Sequence, residues 1–256
     1  MLAERLRKGD NLIGTMIRVS RNPIIVNIAK NSGFDFIMVD MELGSYSFEQ
    51  LSDFLMAAKS LELGALVRVP ELTRSYVARA LDLGANGVMV PMIETVEQAH
   101  AFVEWSKYSP VGNRGMSANC GHTGYRKETD VRAMMDRLNN QTLTIAQIES
   151  GKGIQLAEEI ANVEGIDVLL VGPNDLSVSM GCPGNLDSAQ MQEAILKVAQ
   201  ACQKNKKIFG MHGNGSLLEK WIPYDLSLIM SSTDFDIMNN GMKNLNENCR
   251  KLVSKS

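Results

Sequence analysis

Basic clusters, long apolar runs and paired cysteines are what this chain lacks, and each gap removes a class of function. Lysine and arginine number 26 against 29 acidic residues, a formal net charge of −3, and no extended basic run is present. A nucleic-acid groove needs clustered cations to neutralise phosphates, so that class is set aside. No apolar run approaches the roughly 20 residues of a membrane span, and the opening MLAERLRKGD has no apolar core of signal-peptide length. The matching expectations are no membrane contact and a cytoplasmic location. Cys120, Cys182, Cys202 and Cys249 are scattered without CxxC spacing, which suits reduced thiols rather than a zinc site or a disulfide framework. Histidine is scarce too, limited to His100, His122 and His212.

What the chain does have is a rhythm. With 256 residues, 45% of them hydrophobic, it can bury a large core, and its length suits a single (β/α)8 TIM barrel spanning residues 1–256. Apolar strands are expected at Asn11–Val19, Asp35–Asp40, Ala65–Val69, Gly87–Pro91, Leu143–Ile148, Ile166–Val171, Lys207–His212 and Leu226–Met230, with helical patterns between them. Ser47 with Gln50 three residues on has the form of a capping box at the start of one such helix. An open doubly wound sheet would give similar local patterns. The glycine-, serine- and asparagine-rich segment Lys107–Arg126 breaks the rhythm. It is long for a connection in a compact domain, so it is read as functional or as an excursion toward a partner subunit, with Trp105, Tyr108 and Tyr125 assigned to a subunit contact.

In a barrel, the residues that matter chemically lie at the carboxyl ends of the strands. The charged residues there are Asp40, Glu42, Arg68, Glu149 and Asp175. The central unit, Thr142–Ser179, carries two of them at the ends of successive strands separated by a helix. A strand, a crossover and a parallel strand put both ends on one edge of the sheet, so Glu149 and Asp175 can converge. Two hard oxygen ligands at one spot suit a divalent cation that leaves most of its coordination to water and substrate. Gly172-Pro173-Asn174-Asp175 reads as a turn into a helix whose amide donors suit a carboxylate or phosphate.

A series of motifs runs through nearly the whole chain: FDFIMVDME (34–42), VRVP (67–70), LDLGA (81–85), VPM (90–92), GNRG (112–115), QIES (147–150), and VEGID (163–167) leading to GPNDLS (172–177). Their order and spacing resemble those of the HpcH/HpaI aldolase/citrate lyase family, the class II pyruvate aldolases. The resemblance implies that Glu149 and Asp175 bind Mg2+ or Mn2+, with Co2+ a further candidate. It also implies that Arg68, Asp40 and Glu42 serve catalysis, and that Gln147, Gly172, Pro173, Asn174 and Asp175 line a site for pyruvate and an aldehyde. A homo-oligomer, a trimer or a hexamer, is implied in the same way.

One position departs from the family pattern. Members of the family usually read Asp-x-Glu-His, and the histidine is the expected acid/base for the substrate hydroxyl; here residue 43 is leucine. A leucine cannot exchange a proton. A metal-bound water could take over, or another histidine, with His122 best placed by sequence. Alternatively, the enzyme decarboxylates oxaloacetate, which needs no hydroxyl proton, or the chain is a catalytically weak 2-oxo-acid-binding homologue. Asp82, near a helix end, is expected to be structural support.

Overall fold

The computed structural model describes residues 1–254, so the last two residues of the expected domain, 255 and 256, lie outside it. A short helix α1 (Leu2–Arg7) precedes β1 (Leu12–Ile17), α2 (Ile24–Asn31), β2 (Phe36–Asp40), α3 (Phe48–Ser60) and β3 (Gly64–Arg68). The chain continues through α4 (Arg74–Asp82), β4 (Gly87–Val90), α5 (Val96–Ser106), α6 (Val131–Gln141), β5 (Leu143–Ile148), and the broken crossover α7 (Gly151–Gln155) and α8 (Ala157–Asn162). The last third supplies β6 (Val168–Val171), α9 (Pro173–Ser179), α10 (Ala189–Lys204), β7 (Ile208–Gly213), α11 (Gly215–Trp221), β8 (Leu226–Thr233) and α12 (Asp234–Val253). The eight strands pair in sequence order, all parallel, and β8 returns to β1, so the sheet is a closed barrel and not an open one.

Strand alternation divides the core in two. Inward residues such as Leu12, Met16, Phe36, Met38, Leu66, Met89, Ile145, Val168, Leu170 and Met230 fill the barrel, and Leu2, Ala3 and Leu6 of α1 join them as a plug at its amino-terminal floor. Outward residues such as Ile37, Val39, Val67, Val88, Ala146 and Val171 pack under the helices. Space inside the barrel is tight: a Cβ on Gly14 would run into the Phe36 ring. Ser47 and Gln50 do form the expected capping box, and Thr95 with Gln98 forms a second.

The segment 107–126 proves to be a floor element. Helix α5 runs antiparallel to the strands, so it ends where strands begin, and the loop that follows cannot reach the carboxyl-terminal face. Lys107 is almost wholly buried and donates to Asn139 O, Thr142 O and Asp167 Oδ2 beneath β5 and β6. Tyr108 is buried against Met134 and Leu138 under the Arg114 guanidinium, which takes it out of the subunit contact expected for it. Asp82 holds Arg114 at 2.5 Å, the supporting role expected of it.

Helix α12 buries little more than its first residue, Asp234, and leaves Met242 and Leu245 exposed. No described helix is long and apolar enough to cross a membrane.

Candidate active site

The upper end of the barrel changes from apolar to charged within one residue step. The alternation that points Phe36 and Met38 inward also points Asp40 inward, and it does the same for Arg68 after Leu66 and for Gln147 after Leu143 and Ile145. Asp40 and Arg68 sit side by side in register on β2 and β3. The guanidinium donates from Nε to Asp40 Oδ1 at 2.8 Å and from Nη2 to Oδ2 at 2.6 Å, a bidentate pair with Asp40 fully buried. Oδ1 also accepts the backbone N–H groups of Glu42 and Leu43, and Arg18 Nε lies 3.5 Å from Oδ2. Asp40 thus anchors the arginine and the turn after β2, and its lone pairs are committed. Burial works against the Arg68 charge, but the bonds to Asp40 and its negative charge outweigh it and lift the arginine above its ordinary pKa.

Glu42 follows on the turn with Oε2 at 2.9 Å from Arg68 Nη1, close enough for an ion pair but without hydrogen-bond alignment. Partial burial raises its pKa, Arg68 opposes the rise, and the charges of Asp40 and Asp175 add to it. Leu43 is 61% exposed at the mouth and contributes only its backbone N–H to Asp40.

Across the barrel, Glu149 follows β5 and is buried. Its Oε1 accepts from Met92 N–H at 2.9 Å and its Oε2 accepts from Gln147 Nε2. Burial pushes its pKa up to about 7; the Met92 bond opposes this, Asp175 and Glu42 reinforce it, and Arg68 counters them. Asp175 is exposed in the first turn of α9, and its charge is felt at Glu149. Gly172 explains how the arrangement fits, because a Cβ there would come within 2.5 Å of Glu149 Oε2 and 2.7 Å of Gln147 Nε2. Pro173 is buried at the first helical position of α9, while Asn174 and Asp175 open to the mouth. Gln147 Oε1 is buried without a hydrogen-bond partner, an acceptor aimed at nothing within the protein.

His122 is not at this end. It lies in the floor loop, its Nδ1 3.8 Å from Asp82 Oδ1 and both ring nitrogens without hydrogen bonds, so it cannot replace the side chain missing at residue 43. His100 is exposed on α5. His212 is the histidine that the fold brings to the mouth. On β7, Ile208 packs in the interior and Phe209 and Met211 pack outside, so His212 points inward, where the charged groups acting on it are Arg68, Asp40 and Arg18. Arg18 is the other contributor that the sequence reading missed. The Asp234 carboxylate takes the backbone N–H groups of Arg18, Val19 and Ser20, which fixes the turn that delivers the Arg18 side chain.

Among the described residues, no three His, Cys, Asp or Glu side chains form a metal cage. The donor set suits a divalent ion on other grounds. Four carboxylates, Asp40, Glu42, Glu149 and Asp175, share the mouth with two guanidiniums, Arg18 and Arg68, which leaves negative charge in excess around a buried acid whose own ionisation is suppressed.

Comparison with known proteins gives the family. The family model described as HpcH/HpaI aldolase/citrate lyase matches residues 16–212. A 4-hydroxy-4-methyl-2-oxoglutarate aldolase from Hapsidospora irregularis is 34% identical over 231 residues, 88% of this chain and 85% of that protein. A 2-keto-3-deoxy-L-rhamnonate aldolase from Escherichia coli K12 is 32% identical over 192 residues, 75% of this chain and 71% of that protein. The crystal structure of an HpcH/HpaI aldolase from Desulfitobacterium hafniense superposes with a TM-score of 0.93 at 27% identity, covering 98% of this chain and 96% of that one. The chain therefore belongs to the HpcH/HpaI aldolase/citrate lyase family, as an enzyme of its aldolase class.

Proposed function

We propose that the protein catalyses metal-dependent, reversible aldol cleavage of a 4-hydroxy-2-oxo acid to pyruvate and an aldehyde. The observation that carries this reading is the surplus of carboxylate around Glu149 and Asp175, opposite a rigidly held arginine. Those two acids would hold a divalent ion, Mg2+ or Mn2+, which supplies Lewis acidity toward the keto and carboxylate oxygens of the substrate. Both aldolase relatives are named for 2-oxo acids, which agrees with that substrate class.

The residues of the chain then divide the work. Arg68, fixed in direction by its two bonds to Asp40, presents a permanent positive charge where oxyanion character develops at C2. Gln147 donates to Glu149 and offers its unpaired Oε1 to a donor on the substrate or on ordered water. The first turn of α9 brings the N–H groups of Asn174 and Asp175 toward a substrate carboxylate, Pro173 having none to give. In cleavage, the 4-hydroxyl loses its proton, the C3–C4 bond breaks, its electron pair moves into a C2–C3 enolate, and C3 is protonated to give the methyl group of pyruvate. A homo-oligomer, a trimer or a hexamer, belongs to the same proposal, supported by the apolar side chains Met242 and Leu245 left exposed on α12.

The test is to incubate the metal-loaded protein with pyruvate and a panel of aldehydes and to look for new carbon–carbon bonds. Product that disappears with chelator supports the reading; a metal-loaded protein inert toward every aldehyde would defeat it. Oxaloacetate decarboxylation is the second reading, favoured by Leu43, because loss of CO2 forms the same enolate without a hydroxyl to deprotonate. It predicts CO2 release that Asp175→Ala abolishes.

A further inference from the structure

We infer that His212 is the group that takes the proton from the substrate hydroxyl in cleavage and returns it in condensation, filling the place that Leu43 leaves vacant. This inference rests on the aldolase reading above and assigns to it a residue that the sequence pattern does not mark.

The register of the barrel sets His212 two staves from Glu149. Ile148 pairs with Val171 and Val171 with Met211, so the residues that follow, Glu149, Gly172 and His212, stand at one level on three neighbouring staves. Two strand spacings separate the outer pair, about 10 Å between their backbones, a gap suited to a small oxo acid. The stave between them carries glycine. A Cβ there would meet the Glu149 and Gln147 side chains, and as glycine the middle stave puts no side chain of its own between the acid and the imidazole.

The ring is also held in a defined form. His212 Nε2 lies 3.3 Å from the carbonyl oxygen of Ser232, which can only accept, so Nε2 carries the hydrogen and Nδ1 presents a lone pair. Burial lowers the imidazole pKa, and the Ser232 bond resists this; among its charged neighbours Arg68 and Arg18 push the same way as burial, while Asp40 opposes. The ring is therefore neutral near pH 7 and able to accept a proton.

Backbone strain marks the same spot. Among the described residues, six non-glycine residues have positive φ; Glu62, Lys206 and Asp225 occupy floor turns before strands, and Tyr125 lies in the floor loop before α6. The other two are at the mouth: Met92 (φ 54°), whose N–H binds Glu149, and Ser232 (φ 61°), whose carbonyl binds His212. Each holds a side-chain-bearing residue in the left-handed region, and each directs a backbone group at one of the two side chains, Glu149 or His212. The strain at Ser232 coincides with a shift in register between β8 and β1, where Met16 pairs with Thr233.

In the step itself, Nδ1 accepts the 4-hydroxyl proton as the C3–C4 bond breaks and the C4–O bond becomes the aldehyde carbonyl. The electron pair goes to the enolate, which takes a proton at C3, so no net proton is consumed. The test compares wild type with His212→Asn and His212→Gln, metal-loaded, in two reactions: cleavage of a 4-hydroxy-2-oxo acid and decarboxylation of oxaloacetate, which makes the enolate without hydroxyl chemistry. The expected result is a fall of about 10²- to 10⁴-fold in kcat for cleavage with little change in KM, a far smaller fall in decarboxylation, and recovery of cleavage in His212→Ala on adding imidazole. Equal losses in both reactions, or cleavage unchanged in both variants, would overturn the assignment. A wild type that performs neither reaction would overturn the aldolase reading first, before any variant is compared.

Discussion

The mouth and the floor of the barrel each bury an ion pair, and they differ in what is left over. On the floor, Lys107 places its three donor hydrogens on Asn139 O, Thr142 O and Asp167. Asp167 in turn accepts from Arg7 and from the backbone and hydroxyl groups of Thr144. Charge and hydrogen bonds close on themselves there. At the mouth, Asp40 claims Arg68 and Glu42 approaches it; among the described residues, Glu149 and Asp175 have no ion-pair partner, and Gln147 Oε1 is orphaned. A closed network stabilises a fold, and an open one is held ready for something that arrives.

Breaking each network should therefore give opposite signatures. Glu149→Gln at the mouth removes the buried acid that the cation reading needs. Carbon–carbon cleavage should fall by about 10³-fold or more, roughly 4 kcal/mol in the barrier, and calorimetric titration with Mn2+ should show weakened binding, while urea unfolding shows no loss of stability. Relief from a buried acid whose charge is disfavoured should leave the midpoint equal or higher. On the floor, Lys107→Met leaves Asp167 buried with one of its two cationic partners. Unfolding in urea should show a loss of about 3–5 kcal/mol, with kcat per folded molecule unchanged.

Gly172→Ala sharpens the contrast because the change is one methyl group. The added Cβ would sit 2.5 Å from Glu149 Oε2 and 2.7 Å from Gln147 Nε2, so the two side chains must move. A displacement of about 1 Å in a catalytic group can cost on the order of 10²-fold in rate, and kcat for cleavage should fall by that much. Thermal unfolding should move far less, since only a few side-chain atoms need to give way. A third comparison uses pH. Burial alone would raise Asp167, but the charge and hydrogen bond of Lys107, with the bonds from Arg7 and Thr144, hold it below the usual carboxylate range. Its contribution to stability is then complete above the ordinary aspartate pKa of about 4 and is lost as pH falls through the depressed folded value. Urea midpoints below that pH should fall more steeply in wild type than in Asp167→Asn.

Why the mouth was more legible than the floor follows from local chemistry. Strand periodicity fixes which residues end a strand: Asp40 and Arg68 end β2 and β3 and Glu149 directly follows β5, while Asp175 comes four residues after β6, in the first turn of α9, so their place at this end of the barrel can be read from the chain. The floor network joins Arg7, Lys107 and Asp167, up to 160 positions apart, and no local pattern announces it. His122 was misplaced because its loop was judged by composition; the order of elements, with α5 running down and β5 running up, already puts that loop on the floor. Arg18 escaped because the first strand was extended to Val19, which hid the turn that Asp234 holds. His212 was visible as the end of β7, but its inward direction depends on the register set by Ile208 and Gly210.

Leu43→His is the smallest perturbation and the one that separates the two ends of the mouth. Residue 43 is exposed, and the Asp40 oxygen nearest it already accepts the N–H groups of Glu42 and Leu43 and the Nε–H of Arg68. A new imidazole there would have no free carboxylate lone pair to orient it. If the proton already travels through His212, adding this ring should alter kcat for cleavage by no more than about threefold, or roughly 0.6 kcal/mol. A gain of 10²-fold, the scale of a restored general acid–base, would show instead that the β2 side of the mouth had been the missing half and that His212 only packs beside it. The measurement is steady-state cleavage of one 4-hydroxy-2-oxo acid by the single variant and by Leu43→His combined with His212→Asn. In the double variant any proton transfer through residue 43 is seen without competition from β7.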